Sequence, residues 1–99
     1  MSFFEREDVR RLAEALLTLE TEEDAVGFLE DLLTYREIQD AAQRLEVARL
    51  LRKGEAYQEI IGKTGASSAT ISRVNRALTY GPGGYGTVLS RMEGNGEKK

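Results

Sequence analysis

The residues best suited to chemistry lie between Lys63 and Arg76. The stretch Gly65-Ala66-Ser67-Ser68-Ala69-Thr70-Ile71-Ser72-Arg73 places hydroxyls and an arginine just after a glycine, with Arg76 one helical turn further on. Glycine suits a tight turn because it takes positive φ without steric cost. Ser67 or Ser68 can cap a new helix. Ile71 and Val74 follow Gly65 by six and nine residues, and Ile60 and Ala66 pack near it. These offsets let two short helices cross, so the pattern predicts a helix-turn-helix. Ser67, Ser68, Ser72, Arg73 and Arg76 then face solvent. Short hydroxyls at the start of a second helix, Thr70 included, suit close approach to base edges and phosphates. Lys63, Arg73 and Arg76 can reach phosphates, and arginine can also pair with guanine. One residue departs from the common pattern: Ile61 stands where a small residue is often found.

An ordinary helical hairpin would share this spacing, and charge separates the two readings. The 99 residues carry 14 bases and 17 acids, a net charge of −3. That total argues weakly against nucleic acid. Its distribution argues the other way. Residues 1–50 hold 13 acids and 6 bases, net −7, and residues 51–99 hold 4 acids and 8 bases, net +4. Between Ile60 and Met92 there is no acid, only Lys63, Arg73, Arg76 and Arg91. A solvated face usually mixes signs, whereas a helix that approaches phosphate needs positive charge alone.

Other chemistries fall away. With no Cys and no His, disulfides, thiolate or imidazole metal sites and imidazole-based catalysis are excluded. The segment Gly81-Pro82-Gly83-Gly84-Tyr85-Gly86 is formally G-x-G-x-x-G, but no strand precedes it, so it reads as a hinge rather than a dinucleotide site. Glu22-Glu23-Asp24 suits the positive first turn of a helix better than a metal, because adjacent helical residues do not point together. No acid–base constellation for an enzyme is present, and no metal or cofactor is predicted.

The elements that position these residues are helical. Ala, Glu, Lys, Leu and Arg make up 49 of the 99 residues, and the single proline is Pro82. Val9, Leu12, Ala13, Leu16 and Leu17 recur at helical spacing, which predicts a helix over about 7–19. Ala25, Phe28, Leu29, Leu32 and Leu33 predict a second over about 22–33, capped by Thr21. Thr34 with Glu37 forms a capping box, and Leu33 with Ile38 a hydrophobic staple, for a third helix that stops at Gly54. That helix is apolar on more than one side, so it is central. Helices over about 56–64 and 67–78 follow, then a glycine-rich loop, a frayed turn within 87–92, and a disordered tail. The acidic start lacks the apolar core of a signal peptide, and no apolar run approaches the roughly 20 residues that span a bilayer, which predicts a cytoplasmic protein. A domain this small buries little over ~60% of its unfolded surface and would gain from a partner subunit.

On these residues the sequence resembles the Trp repressor superfamily, and most nearly its small bacterial Trp-repressor-related members. The resemblance covers roughly residues 10–80. It is carried by Leu32-Leu33-Thr34-Tyr35-Arg36-Glu37, Ala42-Gln43-Arg44-Leu45-Glu46-Val47, Leu50-Leu51-Arg52-Lys53-Gly54-Glu55 and the stretch Gly65 to Arg73. It implies an all-α fold of five to six short helices: an intertwined homodimer core with projecting reading heads. One domain over 5–92 would comprise a dimerisation core (5–54), a helix-turn-helix (55–79) and a glycine-rich loop with a C-terminal turn (80–92), before a disordered tail (93–99). Two heads related by a two-fold axis would read half-sites about one DNA turn, ~34 Å, apart. In the family, L-tryptophan sits between core and head, and its contacts match Leu33, Thr34, Arg44 and Arg73. Val74, however, stands where the family has a glycine that leaves room for the ligand, and the loop before the first reading-head helix is one residue shorter. These departures argue against tryptophan as corepressor and leave another small effector open.

The expectation is therefore a dimeric bacterial transcriptional regulator that binds double-stranded DNA, with a protein-interaction dimer of the same fold as the alternative.

Overall fold

The computed structural model describes residues 6–97. The order is α1 (Glu7–Leu16), α2 (Glu22–Leu32), α3 (Tyr35–Arg52), α4 (Tyr57–Thr64), α5 (Ser68–Tyr80) and α6 (Gly84–Glu97). The described residues form no strand. Glu5, where the domain was expected to begin, and Lys98 and Lys99, the end of the expected tail, lie outside the described residues.

Helix starts follow local chemistry. Thr21 Oγ1 accepts from the Asp24 amide at 3.0 Å and caps α2. At α3 the Thr34 amide donates to Glu37 Oε1 at 2.8 Å and the Glu37 amide donates to Thr34 Oγ1 at 3.1 Å, so two orphan donors are satisfied reciprocally. α3 ends in a Schellman turn. Gly54 sits at φ 85°, the Glu55 amide returns to the Leu50 carbonyl at 3.2 Å, and the Gly54 amide to Leu51 at 3.0 Å. α1 stops at Leu16, short of the expected 19, because the Leu17 amide is shared between the Ala13 and Glu14 carbonyls and the Thr18 hydroxyl takes that of Ala15.

The chain divides into two units, the first ending at Ile38 and the second beginning at Gln39. In the first unit, α1 and α2 bury no residue fully. Leu12, Leu16, Val26 and Leu32 remain exposed, as does Leu17 at 85%. The predicted α1 stripe is thus largely uncovered, whereas on α2 Ala25, Phe28, Leu29 and Leu33 are half-buried and Leu32 is exposed. In the second unit, Val47, Ala48 and Leu50 of α3 form one buried cluster with Ile60, Ala66, Ile71, Val74 and Leu89.

The C-terminal segment differs from expectation. The sequence predicts a glycine-rich loop with a C-terminal helical turn over 80–92, the turn within 87–92, followed by a disordered tail. Instead only 81–83 is irregular, and α6 runs from Gly84 to Glu97. Gly84, Gly86 and Gly94 weaken helix propensity, but Leu89 is buried in the core and the Arg52 side chain reaches Ser90 Oγ at 3.2 Å and Glu93 Oε2 at 3.9 Å. Packing outweighs local preference here, as it does for most protein helices.

Candidate nucleic-acid interface

α4 and α5 meet at a turn whose polar groups are almost all spoken for. Gly65 adopts the left-handed conformation at φ 74° and its amide donates to the Ile61 carbonyl at 2.9 Å. The Thr64 hydroxyl donates to the Ile60 carbonyl at 2.7 Å and accepts from the Ala66 amide at 3.1 Å. The Thr64 carbonyl, an orphan of the α4 terminus, accepts from the Gln43 side chain of α3 at 3.1 Å. Ala66 is buried beneath the turn, with Ile60, Ile71 and Val74. Ile61 is 37% exposed, so its size meets no constraint at the crossing.

Ser67 caps α5: its Oγ accepts from the Thr70 amide at 3.1 Å and donates to Thr70 Oγ1 at 3.1 Å. These two hydroxyls are engaged in the cap, and Thr70 is half-buried. Ser68, Ser72, Arg73 and Arg76 are exposed on α5. At 100° per residue Ser72, Ala69, Arg76 and Arg73 lie opposite Ile71, Val74 and Leu78, with Ser68 at the edge of the same face. Around them the chain from Ile60 to Met92 holds no carboxylate side chain.

Lys63, at the end of α4, is tied to Glu55: its ammonium donates to Oε1 at 2.9 Å, and this bond raises the lysine above its ordinary value. Glu46 and Arg49 pair on α3 at 2.6 Å, which lowers the Glu46 carboxyl. Sequence reasoning assigned no contact to Glu55 or Gln43. Their partners lie eight and 21 residues away, at no helical period, so only the tertiary structure joins them.

The residues matched to the family's ligand site are distributed differently. Leu33 caps the end of α2 in an extended conformation and Thr34 belongs to the capping box, both in the first unit. Arg44 and Arg73 are in the second, on α3 and α5. Arg44 lines a mostly apolar groove of about 550 Å³ with Ala41, Leu45, Ala77, Tyr85 and Val88, and Arg73 does not line it. Val74 is 1% exposed and fills its position in the core. The acidic cluster at the start of α2 serves the helix: Asp24 also accepts from the Glu20 amide at 3.3 Å.

An all-α chain with a short helix pair held over a buried aliphatic cluster, and an outward basic face on the second of the pair, has the build of a DNA-binding regulator. Residues 7–93 match the family model described as Trp repressor protein, and the chain belongs to that family. It is 48% identical over 86 residues to the uncharacterised protein YerC of Bacillus subtilis (strain 168), covering 87% of this chain and 83% of that protein. A TrpR-like protein from Eubacterium eligens ATCC 27750 superposes with a TM-score of 0.86 at 46% identity, covering 91% of this chain and 93% of the other. A Trp repressor candidate from Staphylococcus aureus gives a TM-score of 0.86 at 41% identity, covering 94% and 96%. Among the described residues no helix is long and apolar enough to cross a membrane.

Proposed function

We propose that this protein is a bacterial, cytoplasmic transcriptional regulator that binds duplex DNA as a homodimer, with α4 and α5 as its helix-turn-helix. The observation that carries the reading is the outward face of α5. Ser68, Ser72, Arg73 and Arg76 project from it, and no carboxylate lies on the chain between Ile60 and Met92. Ser68 and Ser72 approach base edges or phosphates, and Arg73 and Arg76 attract the backbone. Lys63 stands beside them as a third phosphate ligand, and Ser67 and Thr70 hold the helix start at the surface of the duplex. The output is repression by occupancy of an operator. Residues 5–54 serve dimerisation and 55–79 reading; the uncovered apolar residues of α1 and α2 supply the surface a second copy would cover. Val74, buried where the resemblance places a glycine, speaks against tryptophan as the effector and leaves another small effector open.

Fluorescence anisotropy with random-sequence duplex across a salt series tests this. Binding is expected at low salt with a log–log slope that falls in magnitude by roughly 0.9 for each of Arg73→Gln and Arg76→Gln. No binding at low salt, or affinity independent of salt, refutes it in favour of a protein-interaction dimer. Light scattering after size exclusion should give twice the chain mass, and one chain mass at micromolar concentration refutes the dimer. Selection from a random DNA pool would then define the operator.

A further inference from the structure

The proposed phosphate ligand Lys63 already holds a carboxylate. Its ammonium lies 2.9 Å from Glu55 Oε1, and the partners are unequally placed: the Lys63 side chain is 58% exposed, that of Glu55 only 16%. Glu55 directly follows the Schellman glycine and its amide is bonded to the Leu50 carbonyl. The fold therefore sets the carboxylate in place, and the lysine is the partner able to leave. Glu59, one turn earlier on α4, adds negative charge near the same ammonium, and Arg49 adds positive charge. The pair is thus electrically closed, in contrast to the carboxylate-free outward face of α5.

We propose that Glu55 is an internal competitor for DNA phosphate at Lys63, lowering the protein's sequence-independent affinity for duplex. The inference rests on duplex binding through α4 and α5. A phosphate that reaches Lys63 must displace a group of the same sign and similar acceptor chemistry. The half-buried carboxylate left behind takes up a cation from solution. The counterion released from DNA is then matched by one bound to protein, and Lys63 adds nothing to the salt dependence. An unpaired lysine would add about 0.9 to the slope.

The test is anisotropy with random-sequence duplex from 50 to 200 mM NaCl, with thermal unfolding to confirm that each variant is folded. Glu55→Gln should bind more tightly than the parent with a slope steeper by about 0.9, so its advantage shrinks roughly 3.5-fold over that range. Glu23→Gln makes the same change in net charge on α2 and should leave the slope near the parental value. Adding Lys63→Gln to Glu55→Gln should abolish the gain. Glu55→Ala should show the same gain and the same steeper slope, and this arm stands even if Glu55→Gln does not fold. An unchanged slope or weaker binding in folded Glu55→Gln or Glu55→Ala, an equal gain in Glu23→Gln, or a gain that survives in the double variant would each overturn the proposal. If the parent itself fails to bind at 50 mM, the duplex reading fails too. If the parent binds and any of those overturning results is seen, only the competition fails.

Discussion

Val74→Ala probes both the packing of the helix pair and the reason for excluding tryptophan. Val74 is 1% exposed and belongs to the cluster that joins α3, α5 and α6. The substitution removes two methyl groups. At about 0.8 kcal/mol each, the transfer term is about 1.6 kcal/mol. A residual void adds to this, since even a single buried methylene costs roughly 0.5–1.5 kcal/mol once the cavity is included. Alanine returns up to about 0.7 kcal/mol through better helix propensity. The expected net loss is about 2 kcal/mol per chain, or on the order of 10 °C in Tm for a chain of this size. Urea unfolding followed by circular dichroism at fixed protein concentration measures it. A loss below about 0.5 kcal/mol would refute the reasoning, because it would mean that this position is not packed and that room for a ligand exists.

Four further outcomes follow. Calorimetry of the wild-type protein with L-tryptophan should show no micromolar binding, and a clear micromolar isotherm would show that Val74 leaves the space open. Gly81→Ala should destabilise by roughly 1–3 kcal/mol through overpacking, because its Cβ would run into the Ala77 carbonyl oxygen that the Gly81 amide also bonds; thermal unfolding checks this, and an unchanged Tm refutes it. Ser67→Ala should cost about 1 kcal/mol by loss of the α5 cap, with Ser67→Gly losing only a few tenths, and equal losses in urea unfolding would contradict a capping role. The bond from Arg49 holds the Glu46 carboxyl below its ordinary value, so its stabilisation is present above the ordinary glutamate pKa and is lost as pH falls through the lower folded value. Melting curves from pH 6 to 3 should therefore show wild type losing its small advantage over Glu46→Gln, and a constant difference would refute the pair.

Much of the fold could be read locally. Thr21, the Thr34–Glu37 box and Ser67 act on amides within three residues, so their roles are written in short spacings and the structure realises each one. The inward set Ile60, Ala66, Ile71 and Val74 follows from the offsets around Gly65 for the same reason. Of α6 only a turn within 87–92 is legible, because its propensity is poor and its support is remote: Leu89 in the core and Arg52 on α3. Within the candidate interface, residue types indicated which side chains suit phosphate. They did not show that Ser67 and Thr70 are engaged with each other or that Lys63 is held by Glu55. Those distinctions depend on where side chains end after folding.

The bond from Gln43 to the Thr64 carbonyl bears on the helix pair. It pins the end of α4 to α3 with a group that is part of the chain, and Gly65 turns directly from that pinned point into α5. The turn into α5 therefore starts from a point that the second unit itself fixes, with α4 held both at its buried Ile60 and at its last carbonyl.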